Sequence, residues 1–175
     1  LLAGFGTAID ALMAVREFVF EKRTVSLSGL RGALEANWKG YEKLRLKILR
    51  SPNKFGNGVA QVDEYAEAVA RFAANKINLR PNSRSGFCVA LMHAARQFIV
   101  LGERTGATPD GRRAGEEMSK NVSPAMGMDR NGVTALIRSA TRIDPAMFPG
   151  DFPLDVMLHP ATVQGPEGLA VMRSL

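Results

Sequence analysis

The chain has 175 residues, 46% of them hydrophobic and 23% charged, enough to bury a sizeable core, and no apolar run in it is long enough to cross a bilayer. Its net charge of +6 comes in large part from basic residues scattered between Arg16 and Arg50 and interleaved with Glu17, Glu21, Glu35 and Glu42, the pattern of a solvated helix face. With one tryptophan and two tyrosines there is no aromatic stacking platform, so neither nucleic acid nor a membrane is an expected partner.

In chain order, Ile9, Leu12, Met13, Arg16 and Phe20 recur at steps of three and four, which predicts an amphipathic or largely buried helix over residues 6–22. The same stretch carries Asp10, Arg16 and Glu17, so it does not read as a secretory leader. Because the opening residues are already helix-like and no initiating Met precedes them, the chain is expected to be an internal part of a longer polypeptide. Ser26 or Ser28 can cap a second helix over 27–37 by accepting a hydrogen bond from a free first-turn N–H. A third helix over 41–49 sets Leu44 and Ile48 against Glu42, Lys43, Arg45 and Lys47.

Pro52 and the Gly56-Asn57-Gly58 run break the helical pattern, since proline stops propagation and the Gly/Asn pair permits positive φ. Helix resumes at Val62, with Tyr65, Val69, Phe72 and Lys76 at helical spacing. Residues 87–92 are apolar enough for a buried strand, although periodicity does not settle strand against helix there, 102–115 form a long Gly/Pro/Asp loop, and 133–140 can be helix or strand. A last strand is expected over 154–158, stopped at His159-Pro160, and Pro166 suits the first turn of a closing helix. Helices alternating with apolar strands predict an α/β arrangement.

The most specific pattern is Arg104-Thr-Gly-Ala-Thr-Pro-Asp-Gly-Arg-Arg-Ala-Gly115, followed by Asn121-Val-Ser-Pro124 and Asn131-Gly-Val-Thr-Ala-Leu-Ile-Arg-Ser139. With Gly40-Tyr41-Glu42, Lys54-Phe55-Gly56-Asn57-Gly58 and Val62-Asp63, it resembles the glycyl radical enzymes related to pyruvate formate-lyase, over nearly the whole chain. The resemblance implies that residues 1–175 are a partial pyruvate formate-lyase-like domain, helix-rich in its first half and part of a ten-stranded α/β barrel. It also implies chemistry on two residues not found here: a cysteine in a Gly-Cys loop, and a glycine in an Arg-Val-x-Gly-aromatic motif. No catalytic residue is therefore expected in this chain, and no directly bound cofactor. The radical would be installed by an activating enzyme carrying an iron–sulfur cluster and S-adenosylmethionine. The implied protein is a cytoplasmic homodimer acting on a small-molecule substrate, and the single cysteine suits a reducing compartment.

Ser123-Pro124-Ala125, where pyruvate formate-lyase itself carries Asn-Pro followed by Met-His-Gly, favours the dehydratase and lyase branch over formate C-acetyltransferase. A scaffold or interaction module without catalysis is the reading from another class. Val122, Ser123 and Pro124 are the substrate-pocket candidates, because the equivalent family segment runs toward the barrel interior. Thr108, Pro109, Asp110, Gly111 and Arg112 read as a structural turn whose arginine pairs with a carboxylate of the barrel. Arg112 and Arg113 could instead grip an anion bidentately. Cys88, with no preceding glycine, reads as a buried structural cysteine. His93 and His159 lack partners at metal-ligand spacing, so no metal is expected. Asp155 and His159 share a face on either a helix or a strand and suit hydrogen-bonding support.

Overall fold

The apolar spacing near the start of the chain produces one continuous helical rod in two geometries. In the computed structural model, which describes residues 1–158 and 160–174, helix α1 (Phe5–Ala14) passes directly into a π-helical stretch (Val15–Glu21). The widened turn faces both Glu17 and Phe18 inward. Local π geometry of this kind costs hydrogen-bond quality and usually marks a position where one side chain must be aimed.

Helices α2 (Leu27–Glu35) and α3 (Glu42–Leu49) follow, and Ser26 is the cap of α2, its Oγ accepting from the Gly29 N–H at 3.0 Å. Gly56 and Gly58 take φ of 88° and 66°, so the chain reverses there before the long helix α4 (Ala60–Ile77). A Cβ on Gly56 would lie 2.8 Å from the Pro124 ring, which excludes any other residue by contact as well as by φ. Further on come α5 (Gln97–Glu103), α6 (Val133–Thr141), a 3₁₀ turn (Pro145–Met147), and α7 (Pro160–Val163) and α8 (Gly165–Ser174).

Two cores result. In the larger, Phe5, Ile9 and Met13 of α1 meet Val62, Ala66, Ala70 and Ala74 of α4, and the alanines at every fourth position allow close approach. Phe5 and Phe55 pack edge to face there, with centroids 5.6 Å apart. In the smaller, Ala14 and Phe18 meet Leu30, Ala33, Trp38 and Ile48. Each fully buried Ile or Phe contributes about 1.5–3 kcal/mol, so the rod that enters both cores is their common element.

The expected strands do not form. Among the described residues the β-pairing is an isolated bridge between Pro81 and Phe87, and the chain is helix-rich. Residues 87–92 are extended, but Phe87 and Val89 are 64% and 48% exposed, and the backbone bonds go to scattered partners: Arg80, Leu2, Asp151 and Gly150. Residues 154–158 are held by side chains, with the Asp155 N–H donating to Ser123 Oγ, while Met157 is 85% exposed. An apolar extended segment becomes a strand only when a neighbour supplies a matching ladder; among the described residues, 79–81 pair only with Phe87 and Cys88, and no ladder accompanies 154–158. Residues 133–140, open between helix and strand, lie in helix α6, and α5 occupies part of the stretch read as loop. His159 lies outside the described residues.

Candidate functional site

Residues 104–116 form a loop organised around one guanidinium. Arg112 is 6% exposed. Its Nη1 donates to the carbonyls of Glu116 (2.5 Å) and Gly102 (3.4 Å), its Nη2 to those of Thr105 (3.2 Å) and Gly106, and its Nε to Thr108 Oγ1 (3.1 Å). The expected pairing with a barrel carboxylate is replaced by backbone carbonyls, because a tightly curled loop turns its own oxygens toward the planar, five-donor group. All the donor nitrogens of Arg112 are thereby used inside the loop, so this residue is not free to grip an anion. Arg113 is exposed, and its N–H donates to Glu116 Oε2.

Three upstream side chains reach three consecutive carbonyls of the same loop. Lys54 Nζ donates to Asp110 at 3.0 Å, Arg45 Nε to Gly111 at 2.7 Å, and Trp38 Nε1 to Arg112 at 3.1 Å. Gly111, at φ 102°, lies against the Leu49 side chain with no room for a Cβ. Thr108 Oγ1 donates to Asp110 Oδ1 at 2.5 Å, and Pro109 sets the first corner of the turn. The loop is thus pinned from α3, from the turn that follows it and from Trp38 ahead of it.

The second cluster joins residues 119–124 to 153–155. Thr7 and Ser119 exchange two bonds, each N–H donating to the other's hydroxyl at 3.0 and 2.8 Å. Asn121, at φ 52°, accepts from the Ala94 N–H and donates to Asp155 Oδ2, while Lys120 Nζ donates to Asp155 Oδ1. Ser123 Oγ accepts from the Asp155 N–H at 3.0 Å. Beside them opens a cavity of about 370 Å³ that Ser123 and Pro124 line, with Lys120 and Asp155 at its polar part and Phe98, Met118, Met126 and Leu136 among its apolar walls. Val122 is not on this wall: it is fully buried in the larger core and holds the segment from behind.

Residues 1–101, more than half of the chain, match the pyruvate formate lyase-like family. The chain belongs to that family. Among its relatives, the trans-4-hydroxy-L-proline dehydratase of Clostridioides difficile is 33% identical over 98% of the chain and 22% of its own length. The indoleacetate decarboxylase of Tractidigestivibacter scatoligenes is 44% identical over 95% of the chain and 21% of its own length. A solved glycyl radical enzyme from Archaeoglobus fulgidus matches with a TM-score of 0.89 and 32% identity, over 98% of the chain and 22% of that structure. The chain spans about a fifth of the length of the relatives it matches. The 104–115 loop lies beyond the family-matched segment but inside the stretches aligned with all three.

For this pyruvate formate lyase-like chain, sequence reasoning missed the side chains that organise the turn after α3. Asn57 Oδ1 accepts from the N–H groups of Arg130 and Asn131, and its Nδ2 donates to the carbonyls of Lys54 and Met128. Asp10 is 1% exposed; its Oδ1 accepts from the Phe55 N–H at 2.8 Å, and its Oδ2, 3.9 Å from Lys54 Nζ, has no hydrogen-bond partner. Burial pushes its pKa up to about 7, against the lowering influence of Lys54 and the Phe55 N–H. Glu17 is also buried, yet hydrogen bonds from Lys22, Ser51 and Asn53 outweigh that burial and hold it below the ordinary carboxylate range. A charged residue on the apolar stripe of a predicted helix was the available signal for both. Cys88 is half-buried rather than buried. His93 Nδ1 lies 2.6 Å from Asp151 Oδ2 on the surface, and among the described residues no group of His, Cys, Asp and Glu could hold a metal ion.

Proposed function

We propose that this chain forms part of the catalytic body of a glycyl radical enzyme of the dehydratase and lyase branch, one that cleaves a C–O, C–N or C–C bond of a small substrate. The observation that carries the reading is the match of 98% of the chain to a solved glycyl radical enzyme at a TM-score of 0.89. A dehydratase and a decarboxylase among the relatives favour this branch over formate C-acetyltransferase.

In this reading the ten-stranded barrel is completed by polypeptide beyond these residues, and 87–92 and 154–158 gain their ladders from it. Ser123 and Pro124 form part of the substrate wall, Val122 braces them from the core, and the loop clamped by Arg112 holds the wall in register. A glycyl radical outside this chain, installed by an activating enzyme with an iron–sulfur cluster and S-adenosylmethionine, supplies hydrogen-atom abstraction. The residues here orient substrate and exclude water. The enzyme is a cytoplasmic homodimer.

The test is anaerobic activation of the intact protein, followed by electron paramagnetic resonance and a substrate panel of hydroxyproline, propane-1,2-diol, glycerol, isethionate and indoleacetate. A stable organic radical with turnover of one of these is expected, and Met126→Ala should shift KM for that substrate. Activated protein that carries no radical would overturn the assignment.

A further inference from the structure

A second cavity, about 210 Å³ in volume, lies between the turn after α3 and residues 128–131. Its wall contains three cationic side chains, Arg50, Lys54 and Arg130, with Asn57 and Asn131, and no carboxylate. We propose that this cavity is a binding site for a small tetrahedral oxyanion of the phosphate or sulfate class.

Four observations support the assignment. Lys54 is 2% exposed, and its ammonium, which has three protons to place, makes one hydrogen bond, to the Asp110 carbonyl. Asp10 forms a long ion pair with it at 3.9 Å but no hydrogen bond, and its burial favours the neutral carboxyl, so it offsets the three cations only in part. The Arg50 guanidinium has no ion-pair or hydrogen-bond partner among the described residues, and the Arg130 guanidinium meets the sulfur of Met128 at 3.4 Å. The surrounding carboxylates are engaged elsewhere: Glu17 by Lys22, Ser51 and Asn53, and Asp110 by Thr108.

Three cations around one opening repel one another, and a dianion placed among them converts that repulsion into charge-assisted hydrogen bonds. The volume is below the roughly 300–1,000 Å³ of sites for drug-sized ligands, which suits a single oxyanion group, either free or as the terminus of a larger ligand. The Asn57 network beneath the cavity sets its floor before any ligand arrives.

The experiment is titration calorimetry of the intact, unactivated protein with sodium phosphate and sodium sulfate, at constant ionic strength balanced with chloride. Because the readout is ion binding without the radical, it is independent of the activity proposed above. Saturable binding of both dianions is expected, weakened at least tenfold in Arg50→Gln/Arg130→Gln and largely restored in Arg50→Lys/Arg130→Lys. Both arginines are exposed, so these variants should fold. Phenyl phosphate binding as well as inorganic phosphate would identify the terminal group of a larger ligand, and tenfold weaker binding would identify the free ion. Chloride competing equally with the dianions, or double-Gln protein binding phosphate unchanged, would overturn the site.

Discussion

Asp10 and Glu17 lie two helical turns apart on one rod, both buried, and their carboxyl groups end in opposite states. Asp10 meets one N–H and a distant ammonium, and one of its oxygens has no partner, so burial dominates and its pKa rises to about 7. Glu17 receives Lys22 at 2.5 Å, Ser51 at 2.6 Å and Asn53 at 2.9 Å, and is held below the usual range. At Asp10 burial outweighs the few groups that favour the charged form, whereas at Glu17 three donors outweigh a weaker burial. Both groups tie the rod to the same turn, one at Phe55 and the other at Ser51 and Asn53, so the turn is anchored by one ionised contact and one titrating contact.

The largest effect should come from Glu17→Ala, which leaves the Ser51 hydroxyl and the Asn53 amide without their acceptor while the exposed Lys22 returns to water. Each donor left unsatisfied costs about 1–3 kcal/mol, and hydrogen exchange in the intact protein should show the amides of residues 15–25 and 51–54 losing protection. Protection left intact would remove the contrast between the two ends.

Next comes Asp10. Its folded pKa is raised, so its contribution to stability is full below its unfolded value near 3.8 and is lost as pH rises toward about 7. Protection at α1 and Phe55, taken relative to the intrinsic exchange rate at each pH, should therefore rise on acidification from pH 7 to 5, by an amount on the order of a few kcal/mol at the limit. Asp10→Asn should make that protection independent of pH in the window; a variant whose protection still responds would place the titrating group elsewhere. Glu17 has the opposite sign, since its contribution is present above its unfolded pKa and is lost only as pH falls through its lowered folded value. Acidification below the ordinary carboxylate range should therefore loosen the π-helical end while α1 stays protected.

The smallest effect sharpens the comparison from outside it. Ser119→Ala removes one partner of the reciprocal Thr7 pair at the start of α1, and should cost about 1–3 kcal/mol, the price of an unsatisfied buried donor. Thr7 exchange should rise while that of Phe55 does not.

Much of the local structure was legible because it depends on nearest neighbours. Apolar spacing placed α1, α3 and α4, Ser26 was one of two named caps, and Gly56-Asn57-Gly58 marked the reversal. The expected strands at 87–92 and 154–158 failed for a reason no local pattern contains, since a ladder needs a second segment. Ser123 and Pro124 were legible as a pair and do line a cavity, whereas Val122, one residue earlier, faces the core because Asn121 turns the backbone at φ 52°.

Amino-acid order alone was enough to define the family resemblance, the helical rod and the signature loop, because motif order and apolar period are written one residue after another. Tertiary structure decided that Arg112 would bind carbonyls, that the pKa of Asp10 would rise while that of Glu17 fell, and that Arg50, Lys54 and Arg130 would share one cavity wall. Those outcomes depend on distances between segments far apart in the chain, and electrostatic and hydrogen-bond energies are set by such distances and by burial.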